Sequence, residues 1–142
     1  HLEASTPADL DLLAASDTMG VVMPVCGLHL DGRYAKVRRF IDAGGALALA
    51  TNSNPGSAPT CSMPLAIALG VRFCGLTVPE AIAACTVNAA RLLGLADRGT
   101  IQPGVRADLI LLRHTDERSL AFELGSNPVD AVICAGQLGW TG

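Results

Sequence analysis

The chain has 142 residues, half of them hydrophobic, 16% charged and 4% aromatic, which is the composition of a packed globular unit and not of a disordered one. A formal net charge of −3 without a basic stripe argues against nucleic acid and anionic membrane as partners, and the few aromatics argue against a base-stacking surface. Mean hydropathy is high at +0.41, yet no apolar run approaches the roughly 18 residues of a spanning helix; such hydrophobicity suits a parallel sheet covered on both faces, or a surface that meets further polypeptide.

In chain order, 7-PADLDLLAASDT-18 predicts a short amphipathic helix with Pro7 in its first turn, and Gly20 ends it. The segment 21-VVMPV-25 predicts a buried strand, followed by a loop, CGLHLDG. Val37, Phe40 and Ile41 in 33-RYAKVRRFIDA-43 lie at helical spacing with basic residues on the other face, and Gly44-Gly45 stops that helix. A second buried strand, 46-ALALA-50, leads into a polar loop. Ser62 is placed to cap a helix running to about Cys74, and Thr77-x-x-Glu80 reads as a capping box for the next one. A helix over 86-TVNAARLLG-94, a strand over 107-ADLILL-112 and a strand over 130-DAVICAG-136 complete the chain. The front half therefore has the βα rhythm of a parallel sheet, and the tail has a different architecture.

Few chemical motifs stand out. The five cysteines, Cys26, Cys61, Cys74, Cys85 and Cys134, are odd in number and form no CxxC pair, which predicts reduced, buried thiols in a cytoplasmic protein. His1, His29 and His114 are isolated, with no HxH or HExxH, so the chain alone does not assemble a metal site. GxSxG, GxGxxG and GxxxxGK[ST] are absent. No signal peptide is visible, and a start at His1 in place of methionine predicts that polypeptide precedes it.

The polar loop after 46-ALALA-50 is the best candidate site, because ligands in parallel βα folds gather at the carboxyl ends of strands. There Thr51 and Asn52 precede an Asn54-Pro55-Gly56 turn, which predicts outward-pointing backbone N–H groups. Asn54, the Gly56 amide and Ser57 form a set of donors and acceptors suited to a carboxylate, an amide or a ring carbonyl. A plain connecting turn is the alternative reading.

The stretches ALATNSNPGSAPTCSMPLAIAL, LTVPEAIAACTVNAARLLGL, GTIQPGVRADLILL and LAFELGSNPVDAVICAG, with the opening HLE, resemble the imidazolonepropionases of the amidohydrolase superfamily. GTIQPGVRADLILL is common to many amidohydrolases; the NPGS loop followed by SMP is more particular. The resemblance implies an α/β fold, the C-terminal portion of a (β/α)8 TIM-type barrel with about strands seven and eight, plus strands of a small β-sandwich. It implies that residues 1–95 belong to the barrel and residues 96–142 return to the sandwich. Since a barrel needs roughly 200 residues or more, the missing N-terminal segment, or a homo-oligomer, is the implied partner.

The activity that follows from the resemblance is hydrolysis of the cyclic amide of 4-imidazolone-5-propanoate to N-formimidoyl-L-glutamate, in histidine degradation. His1 matches an active-site histidine, and Asn54, Gly56 and Ser57 match substrate-binding positions. In the family a zinc or iron ion is held by an HxH pair, a further histidine and an aspartate; the aspartate position falls on Asn52. An amide brings no charge and accepts no proton near neutral pH, so impaired catalysis is expected. Two other readings remain open: a non-catalytic relative acting as a binding or assembly module, and an enzyme for another cyclic amide or amidine.

Overall fold

Pro24 decides how the first strand ends. In the computed structural model, which describes residues 1–142, α1 (Pro7–Ala14) leads to β1 (Gly20–Val22), and α2 (Pro24–His29) starts at the proline. The helix expected over residues 7–18 thus ends early, at its Ala15 cap, and Gly20, expected to end it, instead opens β1. Proline lacks the N–H that a sheet ladder needs, yet fits the first turn of a helix, where that N–H has no partner anyway. The expected strand over residues 21–25 is therefore shorter, and the expected loop after it is helical.

The helix expected over residues 33–43 contracts to α3 (Arg38–Asp42) for a tertiary reason. The Val37 N–H donates to the Cys74 carbonyl (3.2 Å), Lys36 Nζ donates to the Phe73 carbonyl (3.1 Å), and Tyr34 stacks on Phe73 with centroids 4.5 Å apart. These contacts hold residues 33–37 out of the helix and bury Ala35 and Val37.

Next come β2 (Leu47–Leu49) and α4 (Met63–Leu69), which is capped by Ser62 Oγ as expected. α4 continues as a π-helical turn over Gly70–Cys74 until Gly75, at φ +85°, ends it. The Thr77 capping box forms at the head of α5 (Val78–Cys85), and α6 (Val87–Leu92) follows. A second capping box, Thr6 with Asp9, opens α1 and was legible as Thr-x-x-Asp.

β1 and β2 pair in parallel, Gly20 with Leu47 through Val22 with Leu49. Val22, Leu47, Ala48 and Leu49 are buried between helices, so the strands read as unbroken apolar runs. Asn88 on α6 donates to the Leu47 carbonyl (2.8 Å). Phe40 is fully buried beside Gly45, where a Cβ would lie 2.4 Å from its ring.

A second sheet holds β3 (Leu109–Leu112), β4 (Val129–Cys134) and β5 (Gln137–Thr141), antiparallel in that order, with α7 (Ser119–Phe122) between β3 and β4. α7 and β5 were not anticipated from sequence. The expected last strand absorbed residues that turn: Ala135 and Gly136 have φ of +51° and +80° and close a two-residue hairpin between Cys134 and Gln137.

Candidate functional site at the strand ends

Because β1 and β2 are parallel, their carboxyl ends share one edge of the sheet. This brings Cys26, in the first turn of α2, beside Asn52, three residues past β2. Asn52 adopts φ +57°, a left-handed conformation that asparagine tolerates better than most residues. Its amide Nδ2 donates to Cys26 Sγ (2.9 Å) and Ser57 Oγ (3.3 Å).

The Asn54-Pro55-Gly56-Ser57 turn is held by Asn54. Its Oδ1 accepts from the backbone N–H groups of Gly56 (2.9 Å) and Ser57 (2.8 Å), and its Nδ2 donates to the Asn52 carbonyl (2.6 Å) and Ser57 Oγ (2.8 Å). This corrects one expectation: the two amides expected to point outward are bound to a side chain of the same loop. An Asx turn satisfies its own donors, which is the physical reason.

A cleft of about 180 Å³ opens at this edge and is lined by His1, Asn52 and Ser57. Asn54 and Gly56 do not line it; Asn54 supports Ser57 from behind. That volume is below the roughly 300–1,000 Å³ of a complete small-molecule site. Glu3, Cys26 and Arg33 also line the cleft and were missed as site residues. Glu3 was visible in the HLE motif, whereas Cys26 reads as a core thiol and Arg33 as a helix's solvated face.

The charged groups of the cleft are paired. Arg33 Nε lies 2.6 Å from Asp31 Oδ2 and holds that carboxyl below the usual range. His1 Nδ1 lies 3.1 Å from Glu3 Oε1. The other two histidines lie elsewhere: His29 ends α2, exposed, and His114 Nε2 pairs with Glu123 at 2.7 Å.

All five cysteines are free, as expected, but Cys61, in the irregular segment before α4, and Cys134, beside the Ala135-Gly136 turn, are exposed. Burial pushes the Cys74 thiol up to about 11 and Cys85 to about 12, so neither is a ready thiolate near neutral pH.

The donor set does not fit a metal ion by itself. No three His, Cys, Asp or Glu side chains gather where they could hold one. At the strand end the oxygen donor is a neutral amide, and its nitrogen is already bound to Cys26 and Ser57.

The amidohydrolase family profile matches residues 1–139. The chain is 54% identical over 136 residues to an imidazolonepropionase of Deinococcus deserti, covering 96% of this chain and 34% of that protein. An imidazolonepropionase of Deinococcus radiodurans is 49% identical with the same coverage. The chain thus spans about a third of the length of the curated relatives it matches. Among solved structures, a zinc-bound adenosine deaminase from Xanthomonas campestris superposes with a TM-score of 0.84 at 23% identity, over 97% of this chain and 35% of that one. The zinc complex of atrazine chlorohydrolase from Arthrobacter aurescens superposes with a TM-score of 0.79 at 18% identity, over 97% and 34%. At such identities these two structures speak to the fold. No helix of the chain is long and apolar enough to cross a membrane. With a family match over nearly its whole length and the matching fold, the chain belongs to the amidohydrolase family.

Proposed function

We propose that these residues form the C-terminal third of an imidazolonepropionase, which hydrolyses the cyclic amide of 4-imidazolone-5-propanoate to N-formimidoyl-L-glutamate in histidine degradation. The observation that carries this reading is the 54% identity to an imidazolonepropionase over 96% of the chain. In it, β1 and β2 are the seventh and eighth barrel strands, residues 1–95 belong to the barrel, and residues 96–142 return to a sandwich. The rest of the barrel comes from polypeptide outside this chain.

In hydrolysis a water oxygen adds to the ring carbonyl carbon, the C–N bond breaks with its electron pair on nitrogen, and that nitrogen takes a proton. His1 is assigned to the proton, and the Asn54-Gly56-Ser57 turn, in which Asn54 holds both the Gly56 N–H and the Ser57 hydroxyl, to the substrate. A zinc or iron ion belongs to the family reading, but its ligands lie mostly outside this chain, and Asn52 contributes a neutral oxygen in the aspartate position. Assembly with the completing polypeptide, followed by an assay of 4-imidazolone-5-propanoate hydrolysis and metal analysis, tests this reading. Turnover with stoichiometric metal supports it; neither one sinks it.

A second reading, a non-catalytic amidohydrolase relative serving as a binding or assembly module, is favoured by one observation. The Asn52 amide is tied to Cys26 and Ser57 as a structural donor. Assembly without turnover or metal supports that alternative.

A further inference from the structure

In the cleft, the His1 ring meets a carboxylate two residues along the chain. His1 Nδ1 and Glu3 Oε1 lie 3.1 Å apart, both residues line the cleft, and His1 Nε2 has no hydrogen-bond partner within the chain. The remaining charged groups there, Asp31 and Arg33, are paired with each other.

The pair is held from below. The Glu3 side chain is only 21% exposed, so solvent screens it less than an ordinary surface carboxylate. Leu2, between the two, has φ +65°, a conformation that costs a non-glycine residue about 1–2 kcal/mol and persists where the surroundings demand it. Its side chain packs against the core and sits over Gly20, where a Cβ would come within 2.9 Å of Leu2 Cδ1. Gly20 thus leaves room on β1 for the anchor that sets where His1 and Glu3 project.

The two ring nitrogens of a histidine are not equivalent, and a carboxylate on one fixes the state of the other. We propose that Glu3 is a positioning residue for His1: its carboxylate accepts the Nδ1–H and leaves Nε2 as the free base. This rests on the hydrolase reading above. Nε2 then takes the proton released by the attacking water and passes it to the departing ring nitrogen.

Ring ¹⁵N spectra of the histidine-labelled chain decide the positioning role, with the Trp140 indole signal as the check on folding. We expect the Nδ1–H tautomer of His1 in the parent, its retention in Glu3→Gln, whose amide oxygen still accepts, and conversion towards the Nε2–H form in Glu3→Ala. In the assembled enzyme, Glu3→Ala should lower kcat by about 10–100-fold with KM unchanged. The acid limb of the pH profile should move to lower pH in both variants, since the carboxylate charge favours the imidazolium. An unchanged tautomer in a folded Glu3→Ala overturns the proposal. If that variant does not fold, an unmoved acid limb in Glu3→Gln overturns it. A tautomer that responds in a protein that hydrolyses nothing leaves the positioning standing and sinks the hydrolase reading.

Discussion

The side-chain nitrogen of Asn52 lies 2.9 Å from the sulfur of Cys26, so the strand end expected to offer an oxygen donor presents a hydrogen-bond donor to a thiol. Asp in place of Asn is compatible with this pocket, because the Cys26 S–H and Ser57 O–H can both turn to donate to a carboxylate. In the assembled enzyme, Asn52→Asp should raise hydrolysis of 4-imidazolone-5-propanoate by about 10²-fold, because a carboxylate supplies the negative charge the amide lacks and a second proton acceptor beside His1. A parent enzyme at least as fast as the variant contradicts the assignment of Asn52 as an impairing residue.

Ser57 Oγ collects donors from two asparagines, Asn52 at 3.3 Å and Asn54 at 2.8 Å. Ser57→Ala leaves both part-buried amides short of an acceptor. A loss of about 1–2 kcal/mol is expected from urea unfolding, with an unchanged slope. An unmoved midpoint means that the loop contributes nothing to stability.

Arg38 and Glu80 form a two-pronged pair, with Nη1 and Nη2 at 2.8 and 2.9 Å from the two carboxylate oxygens, and Glu80 also accepts from the Thr77 N–H at 2.8 Å. The Arg38 guanidinium, with help from Thr77, holds the Glu80 carboxyl down at about 2, against an ordinary value of 4.5. A lowered folded-state value makes this stabilisation complete above pH 4.5 and lost as pH falls from there towards 2. Glu80→Gln should cost about 1 kcal/mol at pH 7, discounted for partial exposure, and almost nothing near pH 2. Parallel stability–pH curves for parent and variant contradict this.

Gly45 sits against the ring of buried Phe40, with only 2.4 Å left for a Cβ. Gly45→Ala therefore overpacks the centre of the core and should cost about 1–3 kcal/mol. An equal melting temperature shows that the ring moves aside freely.

Ile110, Val132 and Trp140 are direct cross-strand partners and so share one face of the β3–β4–β5 sheet. Ile110 is 51% and Trp140 43% exposed. If residues outside the chain complete a sandwich on this face, assembly should bury Trp140, the single tryptophan, and shift its emission to the blue. Emission that does not change on assembly places the partner elsewhere.

Local chemistry alone determined much of this protein. The Thr77–Glu80 and Ser62 caps, the buried runs that became β1 and β2, and the Gly44 and Gly94 stops follow from interactions within a few residues, so they are legible in any context. What only tertiary structure decided lies where distant segments compete with local preference. The 33–37 stretch leaves its helical pattern because Phe73 and Cys74 bind it, and Cys26 enters the site because parallel pairing aligns two strand ends that are 26 residues apart at Cys26 and Asn52. His1 and Glu3 reach the same cleft as Ser57 because Leu2 between them seats over Gly20 of β1: a site is a property of long-range packing and register, and periodicity carries no information about which segments meet.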